Sequence, residues 1–188
     1  MLFRKFFRQK RHETASHKLY LKLVGQARMP GFYAAGGVPD TVDGRFDLIA
    51  LHTFLIIRRL SGSDASEKEH ELAQVLFDLM FADMDRNLRE MGVGDLGVGR
   101  KVRDMVSAFY GRAEAYEKAL QDMDKSPENT TEALVAALRR NLYRDASPDD
   151  QQVRKMAGYV QKLVRRLSEQ TAEAFLRGDI RFASIPFQ

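Results

Sequence analysis

The chain has 188 residues, 44% of them hydrophobic and 30% charged, which is one domain's worth of ordinary globular sequence with material for a sizeable core. It contains no cysteine, so disulfides, thiolate zinc sites and cysteine nucleophiles are excluded. The longest apolar run, LIALHTFLII, is broken by His52 and falls short of the ~20 residues of a membrane span, and the first residues lack a secretory apolar core. We therefore expect a soluble protein on the cytoplasmic side of the membrane.

The net charge of +4 is unevenly placed. Arg4, Lys5, Arg8, Lys10, Arg11 and Lys18 face only Glu13 in the first eighteen residues, and the remainder is close to neutral. Leu2, Phe3, Phe6 and Phe7 are interleaved with these cations and would share a face if helical. This segment reads as a basic, flexible arm over residues 1–16, or as a contact with acidic lipid headgroups or ribosomal RNA, since phosphate neutralisation serves both.

From His17 to Ala27 a short amphipathic pattern predicts a helix ending before Pro30, and PGFYAAGGVPDT reads as an irregular loop. Phe32 and Tyr33 in that loop either plug the core or anchor a partner. Asp43 is placed to cap a helix from Gly44 to about Leu60, closed by Gly62. That helix is apolar nearly all round and so is expected to be central. Ser66 and Glu69 form a capping box that opens a helix running to Met91 and ending at Gly92. From Val98, Val102, Met105, Val106, Phe109, Ala113, Tyr116 and Leu120 keep helical spacing. Ser126-Pro127 and Ser147-Pro148 each place a cap residue before a proline, opening two further helices, the last of which reaches Gly178. No segment alternates with period two. The expected fold is all-α, a single-domain bundle of about six to seven helices over residues 17–182, followed by a tail at 183–188.

GVGDLG, Gly92 to Gly97, matches G-x-G-x-x-G. A dinucleotide loop needs a strand in front, and here one helix ends at Gly92 while another begins shortly after it. The match reads as a helix-to-helix corner. Glu67 and His70 form a single E-x-x-H where a di-iron site would need two copies and further carboxylates, so no metal site is assigned. His12, His17 and His52 lack triad partners, and no catalytic residue or cofactor is assigned. Arg45, His52 and Arg59 recur every seven residues, as do Asp78 and Asp85. An antiparallel pairing of their helices would bring Arg45 towards Asp85 and Arg59 towards Asp78 or Glu71, as fold-specifying ion pairs or as a polar seam in a recognition groove.

The strings ARMPGFYAAGGVPDTVDGRFDLIALHTFLIIRRL and LFDLMFADMDRNLREMGVGDLGVGRKVRDMVSAFYGRAEAYEKAL resemble the ubiquinol-cytochrome c chaperone family. D-M-D-x-x-L-R-E-M-G-x-G-D and F-Y-G-R-x-x-A-Y are the specific parts, and the match runs from about Tyr20 to Leu120. The resemblance implies a non-enzymatic, all-helical assembly factor of the cytochrome bc1 complex that holds newly made cytochrome b or another bc1 subunit. For mitochondrial relatives it also implies a place near the ribosomal exit tunnel and a small partner protein; the basic arm would set this chain at a ribosome or at the cytoplasmic face of the inner membrane, and no DNA partner is expected.

Those strings place Phe32, Tyr33, Asp40, Thr41, Arg45, Asp85, Arg89, Glu90, Asp95, Tyr110 and Arg112 at positions for fold or client recognition, and His52 joins them from the polar seam. Arg4, Lys5, Arg8, Lys10 and Arg11 are the candidates for membrane or ribosome contact. Met80, Met84, Met91 and Met105 could give a client groove an adaptable lining, beside the helices at 44–60 and 67–91. Readings from other classes are a helical enzyme or metalloprotein using the charged seam, and an RNA-binding protein using the basic arm.

Overall fold

The computed structural model describes the backbone of residues 2–121, 123 and 126–187, and the side chains of these except 2–13 and 127–130. Its elements are α1 (Leu2–Ala27), α2 (Pro30–Ala34), α3 (Val42–Leu60), α4 (Glu67–Glu90), α5 (Asp95–Leu120), α6 (Pro127–Leu138), a π-turn (Arg139–Tyr143), α7 (Asp150–Ser168) and α8 (Ala172–Leu176). Six of the helices have twelve residues or more, α2 and α8 are single turns, and no strand occurs among the described residues. The all-α bundle expected from the sequence is the fold observed.

α3 is the axis of the bundle. Every residue from Leu48 to Ile56 is buried, so this helix has no solvent face along its middle. It packs against α4, α1 and α7 and touches α5. α7 shows the complementary design, burying Val153, Met156, Val160, Leu163 and Leu167 along a single stripe with charged residues outside it.

Helix starts follow side-chain caps. Gly44 N–H donates to Thr41 Oγ1 at 3.1 Å, so α3 begins at Val42 with Thr41 as its cap, and Asp43 lies in the first turn instead of capping it. At its other end α3 stops at Leu60 with Ser61 as the flanking residue, ahead of Gly62. Glu69 Oε2 accepts from both Ser66 N–H at 2.9 Å and Ser66 O–H at 2.8 Å, which makes the expected capping box of α4. α7 begins after Ser147-Pro148, because Asp149 and Gln152 form a reciprocal box at 2.7 and 3.0 Å and so take over the cap.

Gly92 closes α4 with φ of 83°, a backbone that suits glycine. α5 opens at Asp95, so Gly97 and Gly99 lie inside it. GVGDLG is thus a corner between two helices with no strand before it.

α1 extends back to Leu2, well before His17, and carries the basic segment on its first turns. The side chains of Arg4, Lys5, Arg8, Lys10 and Arg11 lie outside the described residues. At the other terminus Gly178, with φ of 68°, turns the chain back over α1. Asp179 pairs with Lys18 at 2.5 Å, Gln26 donates to Ala183 O at 3.3 Å, and Phe187 is buried. Residues 183–187 are therefore packed against the bundle as a strap. No helix among the described residues is long and apolar enough to cross a membrane.

Candidate functional site

Where the first turn of α3, the last turn of α4 and one face of α5 meet, they leave a cleft of about 610 Å³. Phe46, Leu88, Met105 and Ala108 give it an apolar surface. Val42 and Met91, at 57% and 53% exposure, stand at its edge. On α5 the lining residues are Lys101, Asp104, Met105, Ala108 and Arg112, spaced by three and four as one helical face requires. This face covers eleven helical rises, about 16 Å, or some three helical turns.

The inner end of the cleft is charged. Arg112 Nη2 lies 2.8 Å from Asp47 Oδ1, and Arg144 Nη1 lies 3.7 Å from Asp47 Oδ2 and 3.1 Å from Asp43 Oδ2. Asp47 is wholly buried, and neither of its oxygens receives a well-aligned hydrogen bond despite these short ion-pair distances. Burial dominates its chemistry and pushes its carboxyl up to about 6, against the lowering influence of Arg112 and Arg144. Arg112 is pinned further by Ala108 O at 3.0 Å and Asn141 O at 3.3 Å, and its guanidinium lies 5.9 Å from the Phe46 ring centroid.

The residues singled out in the sequence do not converge on one site. Arg112 lines the cleft, and so do Met91 and Met105, whereas Met80 and Met84 are buried core. Tyr33, Asp40 and Arg45 share a separate depression, where Arg45 pairs with Asp40 at 2.7 Å and Tyr33 donates to Ala27 O at 2.9 Å. Asp85, Arg89 and Asp95 form an ion-pair chain at the α4–α5 corner, with 2.6 Å between Arg89 and Asp85. Thr41 caps α3, Glu90 is exposed, and Tyr110 is 60% exposed at the end of an aromatic row with Phe77 and Phe109.

Two candidates are corrected outright. Phe32 is fully buried, with its ring 5.7 Å from His52, 5.2 Å from Tyr159 and 6.2 Å from Phe187, so it plugs the core and offers no surface to a partner. His52 is equally buried. Its Nδ1–H donates to Leu48 O at 2.7 Å, and Nε2 accepts from the Tyr159 hydroxyl at 2.8 Å, which in turn accepts from Gln26 at 3.0 Å. Burial pushes the imidazole down to about 4, the Leu48 carbonyl opposing it, and this neutral ring is a core hydrogen-bond relay.

The expected seam is likewise redrawn. Arg59 reaches Glu69 at 3.1 Å and Gln170 O at 3.0 Å, not Asp78 or Glu71, and Arg45 turns to Asp40, not Asp85. Seven-residue spacing puts Arg45, His52 and Arg59 on one stripe, but α3 is covered at its middle and free only towards its ends. Arg45 is exposed and Arg59 partly so, whereas the histidine between them is sealed.

Sequence reasoning missed Asp47, Arg144, Val42 and Phe46. An acid inside the run FDLIALHTF was a legible signal for Asp47, because a carboxylate on the buried side of a central helix demands a partner. Arg144 gave no signal, since it reaches the cleft from the end of a π-turn. Glu67 and His70 are both exposed at the start of α4, and no group of three potential metal ligands occurs among the described residues.

Comparison with known proteins matches this architecture to one family. Residues 34–182 carry the signature described as Ubiquinol-cytochrome C chaperone. The crystal structure of the Cbp3 homolog from Brucella abortus superposes with a TM-score of 0.84 at 34% identity, covering 100% of both chains. Ubiquinol-cytochrome c reductase complex assembly factor 1 of Mus musculus is 22% identical over 90% of this chain, and its Drosophila melanogaster counterpart 21% identical over 88%. The chain spans only 55% and 62% of the lengths of those two relatives. With the signature covering most of its length and a fold shared from end to end, the chain belongs to the ubiquinol-cytochrome c chaperone family.

Proposed function

We propose that this protein is a non-enzymatic assembly chaperone for ubiquinol-cytochrome c reductase, and that the cleft between α3, α4 and α5 holds an apolar helical segment of a client subunit, newly made cytochrome b foremost. The observation that carries this reading is the lining itself. Val42 and Met91 are more than half exposed beside a cleft whose surface is mainly apolar, and methionine can reshape itself to different guests. The relatives' names, as assembly factors of that reductase, supply the class of client. A bundle that works on nascent membrane subunits belongs at the cytoplasmic face of the inner membrane, and the basic first turns of α1 are suited to an acidic lipid or ribosomal surface.

The test is capture of a labelled cytochrome b transmembrane peptide by the purified protein. Met105→Glu and Met91→Glu, changed together, place two charges in the path of an apolar guest. Burial of one methionine contributes about 1.5–3 kcal/mol, so the double variant should bind at least about tenfold more weakly with little change in urea midpoint. In cells lacking the gene, wild type should restore the spectra of assembled b-type and c-type cytochromes and the double variant should not. Capture by the double variant as tight as wild type would place the client elsewhere.

A further inference from the structure

We infer that the inner end of the cleft recognises the anionic, C-terminal end of the helix lodged in it, through Arg112 and Arg144 held in place by the buried Asp47. The inference rests on the cleft being the client site, and it specifies the guest's chemistry and its direction of entry.

Three observations support it. First, two guanidiniums converge on the two oxygens of one carboxylate that has no solvent exposure and no well-aligned hydrogen bond. A buried ion pair of this kind is a poor stabiliser, and an apolar replacement of similar volume would serve the core as well or better. What Asp47 does accomplish is placement, since it fixes both arginines at one end of an apolar trough. Asp47 is thus a positioning residue, acting through Arg112 and Arg144.

Second, Arg144 has φ of 51° and ψ of −112°, and no other non-glycine residue among the described residues has positive φ. Such a backbone is costly for arginine and persists only where its surroundings impose it. Its N–H closes the π-turn onto Arg139 O at 2.9 Å, which orients the side chain towards Asp43 and Asp47. Both acidic contacts go through Nη1, so the planar fork that pairs with a carboxylate through two nitrogens is not used up by them.

Third, the charge pairing at the inner end is exchangeable. Arg112 and Arg144 are balanced there by Asp47 and Asp43, whereas Lys101 and Asp104 carry opposite charges towards the start of α5. Asp43 is the group an incoming anion must displace, and at 74% side-chain exposure its pair with Arg144 is weak. A helix presents its negative dipole end at its C-terminus, so acidic residues there are attracted to the arginine pair by side chain and backbone together.

The experiment uses the full chain and three peptides sharing one apolar stretch of about twelve residues, flanked at the C-terminus by two glutamates, two lysines or two serines, with an amidated end. The readout is the ratio of affinities for the glutamate and lysine peptides, so a general loss of binding cancels. Wild type should favour the glutamate peptide by about tenfold at low salt, and the preference should shrink as salt rises. Arg144→Gln should reduce the ratio towards about two, and Arg144→Glu should invert it, which a merely structural arginine would not do. Asp47→Asn should collapse the ratio as well. If that variant does not fold, the half-exposed Arg144 decides alone.

Moving the glutamates to the N-terminal flank should abolish the preference, and its retention would overturn the proposed direction. Binding of the serine peptide with no difference between the charged ones would overturn the inference while leaving the client cleft intact. Failure of all three peptides to bind would remove the cleft as the client site, and the inference with it.

Discussion

Phe32 is a residue for which the sequence left a core plug and a partner anchor both open, and Phe32→Ala tests the answer given by its burial. An anchor for a partner can be truncated at no cost to folding, but a core plug cannot. Phe32 is 0% exposed and its ring meets His52, Tyr159 and Phe187, the last of which holds down the C-terminal strap. Phenylalanine-to-alanine changes in such positions cost about 3–5 kcal/mol, because the lost transfer energy is joined by the cavity left behind. A domain of ordinary stability has about 5–15 kcal/mol to lose. With a urea slope of about 2 kcal/mol/M the midpoint should fall by roughly 2 M.

The loss should be felt first at the strap, because Phe187 surrenders a ring partner there. Amide exchange over residues 180–187 should accelerate more than exchange in α7, whose stripe stays packed. Phe32→Leu, which refills much of the volume, should cost only about 1–2 kcal/mol. The reasoning is refuted if Phe32→Ala unfolds at the wild-type urea concentration while capturing client less well. That outcome would make Phe32 an anchor after all.

Acid should expose two opposing titrations. His52 binds its proton at about 4 when folded and near 6.5 when unfolded, so stability should fall as pH drops through that window, by up to about 1.4 kcal/mol per unit. Asp47, raised to about 6, keeps a proton that the unfolded chain gives up, so it offsets part of this loss below pH 6. Asp47→Asn should therefore steepen the fall in urea midpoint between pH 6 and pH 4.5, and an unchanged slope would contradict the assignment. Gly178→Ala should destabilise by more than 1 kcal/mol, since φ of 68° disfavours a side chain and the added carbon would meet Ala15 O at 2.7 Å, as read by thermal melting. Glu69→Ala removes the Ser66 box and the Arg59 partner together, and should cost about 2 kcal/mol in the same melts.

Local signals were the most readable. The apolar spacing of α5, the Ser66–Glu69 box and the Gly92 corner each depend on residues within a turn or two of one another, and the structure shows each of them. The all-round apolarity of α3 correctly marked it as the axis, because only a helix covered on every side can bury Leu48 to Ile56 without interruption. The cleft was half legible. Met91, Met105 and Arg112 were singled out for adaptability or for a recurring string, but no local pattern reveals that the start of α3, the end of α4 and a π-turn arrive at the same place. The ion pairs failed for a related reason: seven-residue spacing fixes an angle around a helix axis, and the depth at which each residue sits depends on the layers laid over it. His52 and Arg59 share a stripe, yet one is sealed under Tyr159 while the other reaches Glu69 at the bundle edge.

The two halves of α5 show how such a bundle keeps a cleft open. From Tyr116 onward the helix is rooted, with Tyr116, Ala119 and Leu120 buried against the rest of the core. Between Val98 and Phe109 it buries no side chain at all, and Val102, Met105 and Val106 are only partly covered. A helix with that much unburied apolar surface forgoes stabilisation that a tighter packing against α3 and α4 would supply. Its buried C-terminal end keeps it in place regardless, so the forgone burial is what the proposed apolar guest would gain. The opposite wall is α3, held on several sides and fixed in position. On the proposed function, the centrally packed α3 and the lightly covered α5 would be the two walls against which a guest helix lies, with Asp47, on the α3 side, holding the arginine pair in register.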